Sequence, residues 1–269
     1  MSPADFAALE NVERDAMTDF YGAAPPDFRA AHAVDVRDVG SAACFVCRDL
    51  EPAVMFRRAL GLGVGREAGE GELDDVLEHM NGCGQRYAVT VAPQSRPAAL
   101  PAWLAARGFT AGYSWMRFTR ACAGTPRAAT DLEIRVAGAE LGGAFGRVVT
   151  EGYGLGAGVA PWVAALPGRQ GWICVMAFAD ATPVAAGAAY VSGEHAWLGF
   201  GATLPDYRRR GAQSALLARR LDEAAARGAS VAATETGERL PDRPSASYRN
   251  ILRAGFEEAY LRQNHMSPA

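Results

Sequence analysis

A chain of 269 residues with 49% apolar and 21% charged side chains can bury a sizeable core as one large or two ordinary domains, and long disordered tracts are not expected. Its formal charge of −3 lacks the basic excess of a dedicated nucleic-acid binder, and no apolar run reaches the ~18 residues of a membrane span, so neither nucleic acid nor membrane is expected as a partner. Five scattered cysteines with no secretory leader ahead of them point to reduced thiols in the cytoplasm, and Cys44-Phe45-Val46-Cys47, an apolar strand-like run with neither a second pair nor histidines beside it, is not expected to hold metal.

In the first half, Arg86–Val91 reads as a strand, Ala98–Arg107 as a helix closed by Gly108-Phe109, and Tyr113–Phe118 as a strand. His79 lies in this half and reads as structural. Residues 121–130, small side chains with Gly and Pro, read as a linker between 1–120 and 131–269. Beyond it, 132–136 is a strand, 141–153 a helix and 161–166 a short helix. Alternate glycines in Glu151–Gly158 follow a helix and do not open one after a strand, so they read as an acceptor-site loop lined by Tyr153 and Trp162. Strands follow at 172–178 and 184–191 around the turn Ala179–Pro183. Tyr190 reads as a core-edge aromatic and His195 as an exposed turn residue.

The strand at 196–204 ends at Pro205-Asp206 and turns through Tyr207-Arg208-Arg209-Arg210-Gly211 into a helix at 214–227. Three arginines at a helix start oppose the helix dipole unless an anion compensates them. Free N–H groups of Ala212, Gln213 and Ser214, with Arg208 and Arg210 beside them and Gly211 allowing close approach, suit a pyrophosphate. A strand at 230–234, a helix at 245–253 closed by Ala254-Gly255, and a strand at 256–263 complete a mixed α/β layer architecture. Helix, Gly-Phe and terminal strand occur in both halves (Arg107-Gly108-Phe109, Ala254-Gly255-Phe256), which suggests one αβ unit used twice.

Arg208-Arg209-Arg210-Gly211-Ala212-Gln213 resembles the acyl-CoA pyrophosphate loop of the GNAT superfamily of N-acetyltransferases, with Gln213 where Gly or Ala is usual. Ser247-Tyr248-Arg249-Asn250 ahead of Arg253-Ala254-Gly255-Phe256 resembles that family's last helix, with Ile251 where many members have a tyrosine. The resemblance covers about residues 130–265 and extends to 1–120 only as a degenerate copy. It implies α/β (α+β) architecture with two GNAT-like domains, each a mixed, mostly antiparallel sheet flanked by helices, only the second holding acetyl-CoA.

In that reading Gly201, Ala202 and Thr203 lie on a strand splayed from its neighbour, whose free backbone groups meet pantetheine and the thioester carbonyl. Arg208, Arg209, Arg210, Gly211, Ala212, Gln213 and Ser214 hold the pyrophosphate, and Ser247 and Asn250 lie by the pantetheine arm. Glu235, just past an apolar strand, is the candidate base or ammonium ligand, and Tyr248 the candidate acid. The expected activity is direct acetyl transfer to a primary amine on a small molecule or peptide, as a monomer or a homodimer; a non-catalytic CoA-binding sensor on the same fold is the second reading.

Overall fold

The computed structural model describes residues 2–124, 128–240 and 245–269. The chain forms two compact units, Met1–Met116 together with Tyr260–Ala269, and Arg117–Ala259. This corrects the expected extent of the second domain, 131–269. The tail belongs to the first unit because its backbone completes that unit's sheet.

The first unit opens with α1 (Pro3–Gly22), whose N-cap Ser2 and Asp5 satisfy each other's backbone N–H in a capping box, and α2 (Pro26–His32). Strands β1 (Asp35–Val39), β2 (Ala42–Val46) and β3 (Arg58–Leu60) pair antiparallel, with the single turn α3 (Ala53–Phe56) between the last two. Helix α4 (Glu70–Asn81) then crosses to β4 (Ala88–Val91), parallel to β3. Its buried stripe of Leu73, Val76, Leu77 and Met80 covers the sheet, meeting Ala42, Cys44, Ala59 and Val89. Helix α5 (Leu100–Ala106) and the short β5 (Thr110–Ala111) follow. The last strand of the chain, β12 (Glu257–Met266), places Gln263–Met266 antiparallel to β4 and also pairs β5.

One buried ionic cluster ties these elements together. Glu13 of α1 accepts from Arg58 of β3 at 2.9 Å and from Arg262 of β12 at 2.7 Å. Arg262 also reaches Glu10 at 3.1 Å, and the Tyr260 hydroxyl donates to Glu10 at 2.6 Å. Nearby in the chain, burial holds the His265 imidazole below its ordinary 6.5. The unfolded chain therefore takes up a proton near pH 6.5 that the folded chain resists, so this residue's contribution to stability is present above pH 6.5 and lost as pH falls through it. Urea unfolding at pH 7.5 and 5.5 is expected to show a drop that His265→Gln reduces; an equal drop in the variant refutes the assignment.

The second unit begins inside β6 (Trp115–Ala121), of which Arg117–Ala121 belongs to it. Residues 125–127 of the expected linker lie outside the described residues. Its described ends are pinned: Cys122 N–H donates to the Ser230 carbonyl, and the Thr130 hydroxyl donates to the Arg210 carbonyl. Strand β7 (Glu133–Val136) leads to α6 (Gly142–Tyr153) and α7 (Ala160–Val163). Trp162, expected to line a substrate loop, is instead fully buried in the core.

Strands β8 (Trp172–Ala179), β9 (Thr182–Ser192) and β10 (His195–Thr203) form an antiparallel meander from β7. The β8–β9 turn is tighter than expected, with Ala179 opposite Thr182 and Asp180 left-handed at φ +52°, and Pro183 is absorbed into β9 at an irregularity of the ladder. Helix α8 (Ala212–Ala226) crosses to β11 (Val231–Gly237), parallel to β10, and α9 (Ala246–Arg253) follows.

Each unit thus has an antiparallel run, a helical crossover to a parallel strand, then a helix closed by Gly-Phe. Gly108 and Gly255 are both left-handed, at φ +80° and +81°, and Phe109 and Phe256 are both buried. The strands that follow are exchanged. β6, after the first unit's helix, lies beside β11, while the end of β12, after the second unit's helix, pairs with β4. All five cysteines are buried free thiols.

Candidate functional site

β10 and β11 run side by side from His195↔Val231 to Leu198↔Thr234 and pair no further, although they continue to Thr203 and Gly237. On its other edge β10 pairs regularly with β9 up to Gly199↔Ala188, then resumes at Ala202↔Ala186. The irregular stretch between, Gly199-Phe200-Gly201, has Phe200 left-handed at φ +54°. Gly199 is required there, because a Cβ would stand 2.2 Å from the Trp197 ring. Past Leu198↔Thr234 no further β10–β11 ladder pair is found among the described residues, so the two strands part there to form a slot beside the bulge. Gly201, Ala202 and Thr203 form the end of β10 at and past the bulge.

Past a short turn at Pro205–Tyr207, Arg208 is extended, Arg209 is left-handed at φ +66°, and Gly211 is left-handed at φ +79°. A Cβ on Gly211 would stand 2.3 Å from the Ala129 carbonyl oxygen, so both backbone shape and space demand glycine. Among the described residues no side chain caps α8, and the first-turn N–H groups of Ala212, Gln213 and Ser214 face the loop. Arg208 and Arg209 are exposed. Arg210 is committed to Asp131, whose carboxyl its hydrogen bond holds below the usual range. Gln213, the departure from the expected loop, donates from Nε2 to Thr203 Oγ1 at 2.9 Å and so ties the first turn of α8 to the end of β10.

Glu235 lies one residue past the last β10–β11 pair. Its side chain is 7% exposed and stands 3.6 Å from Arg117, which is fully buried. Tyr248, expected as an acid, donates its hydroxyl to Glu258 at 2.6 Å and packs edge-on against Phe118 at 4.8 Å. Burial, then that bond, pushes its pKa up to about 12, so the hydroxyl stays protonated at neutral pH. Ser247 is exposed and Asn250 half-buried on α9, while Ile251 faces the interior.

The sequence reading placed Tyr153 only as a loop residue and did not single out Arg220. Close packing of Gly152 against Ala202, where a Cβ would meet Ala202 Cβ at 2.7 Å, brings Tyr153 to the bulge. The residue is 43% exposed overall, and its hydroxyl lies near the Gly201 backbone N–H, which lowers its pKa. Burial pushes this hydroxyl up to about 12, Arg220 pulling it down and Glu235 pushing it up. Arg220 sits on the apolar face of α8 with Leu216, Leu217 and Leu221. A charged residue on that stripe was the available signal.

In the first unit the chain past β3 and the chain past β4 are hydrogen-bonded to each other. Arg96 N–H donates to the Gly63 carbonyl at 3.0 Å and Ala68 N–H to the Arg96 carbonyl at 2.9 Å. The first turn of α4 carries Glu70 and Glu72, and the first turn of α8 carries no acid. Ser41 donates to Glu72 from its N–H at 2.6 Å and its hydroxyl at 2.5 Å.

The profile of the Acetyltransferase (GNAT) family matches residues 156–242, which span the slot and the arginine turn. Residues 156–242 are a GNAT-family domain. Solved structures share its fold. A GCN5-related N-acetyltransferase from Kribbella flavida is 19% identical with a TM-score of 0.63, over 90% of this chain and 94% of that one. Another from Sphaerobacter thermophilus is 15% identical with a TM-score of 0.60, over 99% and 93%. A tandem GNAT protein from the clavulanic acid biosynthesis pathway is 14% identical with a TM-score of 0.60, over 87% and 81%. No curated protein matches the chain. Among the described residues of the GNAT domain and the rest of the chain, no cluster of acids, histidines and cysteines is arranged to hold a metal, and no helix is long and apolar enough to cross a membrane.

Proposed function

We propose that the GNAT domain transfers an acetyl group from acetyl-CoA to a primary amine on a small molecule or peptide. The observation that carries this reading is the end of β10–β11 pairing at Leu198↔Thr234, in a domain where α8 starts uncapped behind left-handed Gly211. Pyrophosphate at the Ala212–Ser214 N–H groups, with Arg208 and Arg209 over it, gives the loop's exposed charges a partner. Arg210, paired with Asp131, shapes the loop rather than meeting the ligand. Pantetheine lies along Gly201–Thr203 in the slot, with Ser247 and Asn250 of α9 at its flank, and the Gly201 N–H takes the thioester carbonyl oxygen.

The amine nitrogen bonds to the carbonyl carbon as the C=O pair moves to oxygen, and the Gly201 N–H stabilises the resulting anion. Collapse restores C=O and breaks the C–S bond; the proton lost from nitrogen ends on the thiolate sulfur, giving amide and CoA. Glu235 orients the incoming ammonium and takes its proton through water before attack. The first unit, with Gly63 bonded to Arg96 and acids in the α4 turn, is a degenerate copy that binds no CoA.

One observation favours the second reading, an acyl-CoA-binding sensor: Glu235 already faces a buried guanidinium. Calorimetric titration with acetyl-CoA and CoA tests binding, and thiol release with a panel of amines tests transfer. Glu235→Gln is expected to lower kcat by about 100-fold with acetyl-CoA affinity unchanged. Absence of acetyl-CoA binding sinks both readings, and binding without transfer leaves the sensor.

A further inference from the structure

Arg220 is a second buried charge near the slot, with 2% of its surface exposed. Its Nη1 donates to the carbonyls of Ala188 and Gly199, each at 3.0 Å, and its Nε to the Leu216 carbonyl at 3.0 Å. Among the described residues no carboxylate joins them. Ala188 and Gly199 are the last regular β9–β10 pair before the bulge. A single guanidinium nitrogen therefore holds both strands where their ladder breaks, and satisfies two carbonyls there.

The surroundings are shaped to admit it. A Cβ on Gly187 would stand 2.8 Å from Arg220 Cζ, so glycine in the middle of β9 makes room for the guanidinium. A Cβ on Gly201 would stand 3.8 Å from Arg220 Nη2, so the far end of the guanidinium lies beside the residue whose N–H lies near the Tyr153 hydroxyl. Burial draws Arg220 down to about 10, which still leaves it a full cation at neutral pH.

We propose that Arg220 is a positioning residue for acyl transfer: it fixes the Gly199–Gly201 bulge so that the Gly201 N–H points into the slot, and its unpaired charge favours the oxygen anion that forms there. The inference rests on the transferase reading above. It adds that a side chain on α8, not in contact with either substrate, sets the strength of the carbonyl-polarising donor. Fixed dipoles and charges aimed at a developing anion act without reorganising, and their effect is largest where water is excluded.

The test is the carbonyl stretch of bound acetyl-CoA labelled with carbon-13 at the acetyl carbonyl, read by isotope-edited infrared spectroscopy beside calorimetry and kcat. The wild type is expected to bind the thioester and lower its stretch. Arg220→Met is expected to return the stretch toward the free value and to lower kcat by about 10- to 100-fold, below the full loss of an oxyanion donor. Its acetyl-CoA affinity stays within about 3-fold, since the pyrophosphate loop is untouched. Arg220→Lys, which keeps the charge but not the fork, recovers part of both.

Should Arg220→Met fail to fold, Gly187→Ala carries the same test, because its methyl displaces the guanidinium without removing it. A folded Arg220→Met or Gly187→Ala protein with the wild-type stretch and kcat overturns the proposal, as does a loss of kcat that only tracks lost affinity. A wild type that fails to bind acetyl-CoA refutes the transferase reading itself, an outcome distinct from these.

Discussion

Gly211→Glu is expected to abolish acetyl-CoA binding while the chain stays folded. Three effects act at once at this position. The residue sits at φ +79°, where any side chain strains the backbone, and its Cβ would press on the Ala129 carbonyl at 2.3 Å. Relief requires moving either residues 129–131, which anchor Arg210, or the start of α8, which presents the N–H groups. The new carboxylate then stands where the pyrophosphate would. Two lost charge-assisted hydrogen bonds alone are worth about 3–6 kcal/mol, or ~100-fold and more in affinity. Calorimetry with CoA reads the loss, and circular dichroism confirms the fold. Unchanged CoA affinity in a folded Gly211→Glu protein would mean that this turn is not the anion site.

Glu13→Ala is expected to destabilise the protein by about 3–5 kcal/mol, because it removes from a buried site the carboxylate that Arg58 and Arg262 share, leaving Arg262 to Glu10. The contrast is Asp38→Ala, which breaks an exposed pair with Arg14 and is expected to cost less than about 1 kcal/mol. Urea unfolding of both variants checks the pair of values; similar small losses would show that the buried cluster does not bear on stability. Glu13→Gln, which keeps the shape and one acceptor, is expected to fall between them.

Much of the GNAT domain was legible because its signals are local. The strands around 172–178, 184–191 and 196–204 are long apolar runs between turn residues, and α8 announces itself by Leu216, Leu217, Leu221 and Ala224 at helical spacing. The arginine turn was readable because three cations at a helix start make poor sense without an anion. Helices α1 and α4 went unread. In α4, charged and small residues such as Glu70, Gly71, Asp74 and Asp75 dilute the stripe of Leu73, Val76, Leu77 and Met80 that packs on the sheet.

Side-chain commitments were illegible for another reason. Nothing near Tyr248 in sequence says that Glu258 will accept its hydrogen bond, nor near Glu235 that Arg117 will face it. Those partners come from other strands. The strand exchange was hidden likewise, since periodicity shows that a segment is a strand and never which sheet it joins.

That exchange has a consequence for synthesis. Domains generally fold in the order in which they leave the ribosome. Here β4 waits for residues 263–266, and the buried carboxylates of Glu10 and Glu13 wait for Arg262, until nearly the whole chain has emerged. The unit that is begun first is therefore finished last, and a ribosome stalled after α9 would carry a second unit ready to close and a first one in which Glu10 still lacks Arg262 and Glu13 has only Arg58.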